Sequence, residues 1–151
     1  MVTIVDYGLG NINAIVNIYK ELDIPVTIAT NKDSLTNASK IILPGVGSYD
    51  FAMEKINNSG MREILDKLVL QEKIPVLGIC VGMQIMGKKS EEGSNKGLGW
   101  IDGEVLRFSL VKDDNLLLPH MGWNLVKPTN LDIIFKNFDN ARFYFLHSYF
   151  F

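Results

Sequence analysis

The chain has 151 residues, 47% of them hydrophobic and 21% charged, with a formal net charge of -2; that is enough for one domain with a real core and gives no reason to expect nucleic acid or an anionic membrane as partner. A single cysteine excludes an intramolecular disulfide and fits a reducing compartment. Met1-Val2-Thr3-Ile4-Val5 lacks the basic region and apolar run of a signal peptide, and no apolar run is long enough to span a bilayer, so the reading is a cytoplasmic protein.

Val2 to Tyr7 reads as a first strand and Gly8-Leu9-Gly10-Asn11 as a turn. Position 13 is Asn13 rather than glycine, which favours a tight strand-to-helix turn over a dinucleotide loop. Ile12, Ile15, Val16, Tyr19 and Leu22 recur at helical spacing. Pro25 to Thr30 is a second strand, Asn31 to Ser39 a polar stretch with room for one or two helical turns, and Ile41 to Leu43 a third short strand. Pro44-Gly45-Val46-Gly47-Ser48 follows. A loop after a parallel strand lies at the ligand-binding edge of an open α/β sheet, and its glycines let backbone N–H groups point into a site. Asp50 to Ile56 and Met61 to Leu70 read as helices separated by Gly60.

The most informative stretch is Lys73 to Met86, KIPVLGICVGMQIM. Ile74 to Leu77 is an apolar run expected as a buried strand of a parallel sheet, and a helix is expected from Met83 to Met86. Between them stands Gly78-Ile79-Cys80-Val81-Gly82, a G-x-C-x-G nucleophile elbow with cysteine as the reactive residue. The turn is sharp enough to require glycine on either side, and it places the sulfur at a helix N-terminus, where dipole and free N–H groups favour the thiolate. A lone cysteine is more often a packing residue; the two glycines, the strand before and the helix after favour the nucleophile. The alternating order predicts an α/β fold: three layers, α/β/α, around a mostly parallel, doubly wound, flavodoxin-like sheet. Beyond it, Lys88 to Lys96 reads as a loop, solvated over most of its length, Gly97 to Trp100 as a bend, Gly103 to Phe108 as a strand, Leu131 to Phe138 as a short helix, and Ala141 to Phe151 as strongly β in type.

Five segments occur in order: VDYGLGN from Val5, PGVGSY from Pro44, GICVGMQ from Gly78, PHMGWN from Pro119 and FLHSYF from Phe145. Together they resemble the glutaminase subunits of imidazole glycerol phosphate synthases, within the class I, triad-type glutamine amidotransferases. The resemblance runs from Met1 to Phe151. It implies hydrolysis of glutamine to glutamate and ammonia. The ammonia would pass, without release to solvent, to a (β/α)8-barrel synthase (cyclase) subunit in a heterodimer. That partner would make imidazole glycerol phosphate and an aminoimidazole carboxamide ribotide in histidine biosynthesis. By the same resemblance, Cys80 is the nucleophile. The backbone of Val81 and of Gly45, Val46 and Gly47 forms the oxyanion hole. Gln84, Glu92, Ser148 and Tyr149 hold the substrate, and Asn11, Asn13, His120 and Trp123 face the partner. No cofactor or metal is implied.

The family's general base is a histidine held by a glutamate two residues on, in an H-P-E type sequence near the C-terminus. This chain's two histidines, His120 and His147, are followed two residues later by Gly122 and Tyr149. Both already match other motifs. The chain also stops inside an aromatic stretch, where a natural terminus is more often polar. The expectation is therefore a single amidotransferase domain, 1–151, incomplete at its C-terminal end and a poor glutaminase in this form. Two alternatives stay open. One is an amidotransferase subunit for a surface-polysaccharide sugar; the other is a non-catalytic, partner-binding subunit.

Overall fold

The computed structural model describes residues 1–108, 117–129, 135 and 141–151. Internal contacts divide the chain into two units, Met1–Leu106 with Phe151, and Arg107–Phe150.

In the first unit the short apolar runs become strands β1 (Val2–Val5), β2 (Val26–Ala29), β3 (Lys40–Leu43) and β4 (Val76–Gly78). They form one sheet in the order β2-β1-β3-β4, and every pairing is parallel. Helix α1 (Ile12–Glu21) joins β1 to β2, and a 3-10 turn, Asp33–Leu35, lies between β2 and β3. Helices α2 (Tyr49–Asn58) and α3 (Arg62–Asp66) join β3 to β4, and α4 (Val81–Gln84) follows β4. The step from β1 to β2 runs one way across the sheet and that from β3 to β4 the other. Right-handed crossovers therefore put α1 and α2–α3 on opposite faces, the doubly wound arrangement expected. The core lies mainly under α2 and α3, where Tyr49, Met53, Ile56 and Leu65 are fully buried with Val5, Leu43 and Ile85. Helix α1 contributes no buried residue.

Several boundaries differ from the sequence reading. The first strand ends at Val5, and Tyr7 is buried in the turn after it. The helix expected over Met61 to Leu70 is α3 running on into a π turn, Lys67–Gln71. The expected buried strand, Ile74 to Leu77, is corrected. The ladder begins at Val76, and Leu77 is 47% exposed. An apolar run reads as buried on both faces, but β4 pairs only with β3 among the described residues. The Lys88 to Lys96 stretch is exposed or half-buried except at Ser90, which is buried, and the amide of Glu91 donates to the Val105 carbonyl. In the strand expected over Gly103 to Phe108, only Leu106–Arg107 (β5) is regular. The helix expected over Leu131 to Phe138 lies, apart from Phe135, outside the described residues. At the other end, Phe151 belongs to the first unit, where a Cβ on Gly87 would stand 3.0 Å from its ring.

The second unit is built on an antiparallel ribbon of β6 (His120–Leu125) and β7 (Arg142–His147), followed by β8 (Tyr149–Phe150). The sequence reading gave no strand at β6. Its register sets His120 opposite His147, Met121 opposite Leu146, and Trp123 opposite Tyr144. Directly opposed residues share a face. One face therefore carries Met121, Trp123, Tyr144 and Leu146, all more than half exposed. The other carries His120, Asn124, Phe145 and His147.

Candidate active site

Strand β4 runs into Cys80, whose backbone sits at φ 55°, ψ -125°. A side chain other than glycine there is strained by about 1–3 kcal/mol, and such strain persists only where neighbours enforce it. Here the neighbours are glycines. A Cβ on Gly78 would stand 2.4 Å from the Cα of Met83, and one on Gly82 2.0 Å from the carbonyl oxygen of Leu43. The Ile79 amide donates to that same Leu43 carbonyl at 3.0 Å. Amides of Met83 and Gln84 donate to the Cys80 carbonyl at 2.9 and 3.2 Å, closing the turn. Cys80 is thereby exposed at the end of the sheet, as the elbow motif requires. One expectation is reduced: the regular helix behind it is four residues long, so few peptide dipoles add up there.

The Pro44–Gly47 loop packs directly on this elbow. A Cβ on Gly45 would stand 2.3 Å from the amide nitrogen of Gly82 and 3.0 Å from the carbonyl carbon of Val81. The two backbones touch with no side chain between them. Among the described residues, the amides of Gly45, Val46, Gly47 and Val81 donate to no acceptor. The loop also meets the turn after β1, across the point where strand order reverses and open α/β sheets bind ligands. Gly8 and Gly10, at φ 90° and 100°, make that turn tight. The buried Tyr7 hydroxyl donates to the Pro44 carbonyl at 2.7 Å. Burial first, and then the charge of the Cys80 thiolate, hold its phenol well above the ordinary tyrosine value, so it stays a donor.

Of the expected substrate-binding residues, Gln84 lies on α4 one turn beyond Cys80 and is 7% exposed. Glu92 accepts the Tyr49 amide at 3.2 Å. Tyr49 opens α2 just after the glycine loop, and the N-cap Ser48 gives no side-chain cap there. The carboxylate therefore does a capping job beside Gly47 and Ser48. Asp50 accepts the amides of Ser94 and Asn95 at 3.0 and 2.9 Å, and those bonds hold its carboxyl below the ordinary range. Neither Tyr7 nor Asp50 was picked out from sequence. Their partners lie 37 and 44 residues away, and no local spacing announces such a bond.

Asn11 and Asn13 are exposed at the start of α1, where Asn11 also caps the helix by accepting the Ala14 amide at 3.1 Å. The remaining expected residues lie in the second unit. Trp123 is 60% exposed on one ribbon face, whereas His120 is on the opposite one. His147 donates from Nδ1 to the Tyr149 carbonyl, since a carbonyl only accepts. Its Nε2 is hydrogen-bonded to His120 Nδ1 at 2.8 Å, and His120 Nε2 to the side-chain Nδ2 of Asn124. Ser148 accepts the Phe108 amide on its carbonyl, leaving its side chain out of that bond.

The sequence pattern of the family described as "Glutamine amidotransferase class-I" matches residues 3–151. The chain is 56% identical over 153 aligned positions to the "Imidazole glycerol phosphate synthase subunit HisH" of Bdellovibrio bacteriovorus, covering 100% of this chain and 75% of that one. The chain belongs to the class-I glutamine amidotransferases, in their HisH branch. Two further HisH relatives lie at lower identity: 47% for Leptospira borgpetersenii, over 99% of this chain and 74% of that one, and 42% for a HisH 2 of Methanococcus maripaludis, over the same shares. This HisH-branch chain thus spans about three quarters of their length. A crystal structure of a glutamine amidotransferase aligns with a TM-score of 0.60 at 20% identity, over 74% of this chain and 59% of that one. It speaks for the amidotransferase fold. Among the described residues, no helix is long and apolar enough to cross a membrane.

Proposed function

We propose that this chain is the glutaminase subunit of an imidazole glycerol phosphate synthase, cytoplasmic and working as a heterodimer with a (β/α)8-barrel synthase subunit in histidine biosynthesis. The observation that carries the reading is the elbow itself: an exposed cysteine held at positive φ, with unengaged amides packed against it. Cys80 Sγ adds to the side-chain carbonyl carbon of glutamine, and the π pair moves onto oxygen. The amides of Val81 and the Gly45–Gly47 loop hold that oxyanion. When the carbonyl re-forms, the carbon–nitrogen bond breaks, and nitrogen leaves as ammonia on taking up a proton. Water then hydrolyses the glutamyl thioester to glutamate. Gln84 and Glu92, in the same unit as Cys80, hold the rest of the glutamine. Asn11 and Asn13 in the first unit, and Trp123 and His120 in the second, are the residues assigned to the partner.

The proton steps need a base. His120 and His147 bond to each other, and their outer nitrogens are taken by Asn124 and Tyr149. Neither is followed two residues on by a glutamate. Lacking both triad partners, a nucleophile typically loses on the order of 10⁴-fold or more in rate, by analogy with serine triads. The test is glutamate release by the 151-residue chain with its synthase partner and that partner's ligand present. The rate is expected to fall that far below a relative bearing the histidine and glutamate. Equal rates would overturn this and make His147 the first suspect as base.

A further inference from the structure

We propose that Tyr7 is a positioning residue for the oxyanion hole: its buried hydroxyl, bonded to the Pro44 carbonyl, sets which way the Pro44–Gly45 peptide faces beside Cys80. The inference rests on the glutaminase reading above and adds a residue to it. Three constraints meet at that peptide. The proline ring fixes φ at Pro44, so the soft torsion left to orient the next peptide plane is its ψ. The peptide is trans, since the cis bond among the described residues is Leu118–Pro119. In a trans unit, carbonyl and following N–H point in opposite directions. A hydrogen bond of 2.7 Å from Tyr7 to the Pro44 oxygen therefore points the Gly45 N–H the other way.

The surroundings leave the peptide little room to rotate. On one side, a Cβ on Gly10 would stand 2.8 Å from the Pro44 ring. On the other, a Cβ on Gly45 would stand 2.3 Å from the Gly82 nitrogen of the elbow. Tyr7 supplies the one directional bond in this clamp. It is rooted in the turn after β1, whereas the loop follows β3, so it ties together the two strand ends that flank the switch point. Its burial keeps the bond out of competition with water.

The test separates addition to a carbonyl from the reactivity of the thiol alone. The chloroketone analogue of L-glutamine presents a carbonyl to the thiolate. Sulfur adds to the carbonyl carbon and an oxyanion forms; sulfur then bonds the neighbouring CH2 as chloride leaves, its bond to the carbonyl carbon breaks, and the carbonyl re-forms. Iodoacetamide needs no oxyanion hole: sulfur attacks carbon and iodide leaves. Both second-order rates at Cys80 are read by intact mass on the 151-residue chain and its Tyr7→Phe variant. We expect Tyr7→Phe to slow the chloroketone about 10-fold or more and to leave iodoacetamide within about twofold. An unchanged chloroketone rate overturns the proposal, and so does an equal fall in both rates, the mark of a disturbed elbow. If the phenylalanine variant does not fold, 3-fluorotyrosine at position 7 keeps the shape and donates more strongly. It must hold the chloroketone rate at or above wild type, and a fall overturns the proposal. If the wild-type chain reacts no faster with the L-chloroketone than with its D-enantiomer, the glutaminase reading fails. If it prefers the L form and Tyr7→Phe does not matter, only the role of Tyr7 fails.

Discussion

The elbow and the β6–β7 ribbon differ in how much room they leave for side chains. At the elbow, backbone touches backbone: Gly45, Gly78 and Gly82 each leave no room for a methyl group, and the Tyr7 hydroxyl adds a directional side-chain bond to the Pro44 carbonyl. On the ribbon a backbone ladder of six residue pairs sets the register, and side chains add cross-strand contacts on both faces. Trp123 and Tyr144 meet edge to face at 5.7 Å, Arg142 reaches the Trp123 carbonyl at 3.2 Å, and the histidine pair bridges the strands. A site built on close backbone contact tolerates no added atom at its glycines. A ribbon held by its backbone ladder tolerates most side-chain replacements as a fold and concentrates its specificity in a few exposed groups.

The sharpest way to test that contrast is at the nucleophile. Cys80→Ala is expected to abolish labelling by the glutamine chloroketone while changing unfolding free energy by no more than about 1 kcal/mol, read by mass and by chemical denaturation. Labelling that persisted would place the nucleophile elsewhere. Gly82→Ala comes next. Its Cβ would stand 2.0 Å from the Leu43 oxygen, and 2.8 Å from the Pro44 carbonyl carbon, so something in the backbone must move. A loss of about 3 kcal/mol or more is expected, with labelling of any folded remainder at least about 100-fold slower. A variant as stable and reactive as wild type would show that the close approach is not needed.

On the ribbon the expected pattern reverses. Trp123→Ala should cost no more than about 1 kcal/mol of stability, the share of one aromatic pair on a surface. It should weaken the synthase complex by about 2 kcal/mol, roughly 30-fold in affinity by titration calorimetry, as loss of an exposed aromatic anchor does. A large loss of stability with affinity intact would assign Trp123 to the fold.

The smallest effect is at Asp50. Its folded carboxyl is depressed, chiefly by the Ser94 amide and then by that of Asn95. Its stabilisation is therefore complete above the unfolded value, about 3.9, and is lost as pH falls through the folded one. The side chain is at the surface, so the loss is local. Below about pH 4 the Ser94 and Asn95 amide resonances should move together, and Asp50→Asn should remove that titration. Resonances that stayed fixed would mean the loop is held by other contacts.

What was legible in the sequence follows the same division. Period and glycine spacing are local signals, so the alternation of strand and helix that makes a parallel sheet, and the Gly78 to Gly82 elbow, could be read along the chain. The elbow's contact with Gly45 could be expected, because both follow strands of one parallel sheet. The buried character of Ile74 to Leu77 was misread, because apolarity does not say how many neighbours a strand has. The β6 strand passed unread because His120-Met121-Gly122-Trp123 alternates two moderately polar or small residues with two apolar ones that face outward. The pinning of the Ser94 turn on Asp50 depends on a partner 44 residues away, which composition cannot reveal.

The positive φ of Cys80 has a consequence for how such a chain drifts. Glycine at that position would relieve the backbone strain and melt later, by roughly 1 kcal/mol of extra stability. Selection for heat tolerance alone would therefore reward the loss of the thiol. Only continued demand for the chemistry keeps a side chain at position 80. A library of this protein screened by melting temperature should fill with folded chains that no longer react, and a thermal ranking of its members would place the working sequence below its own dead relatives.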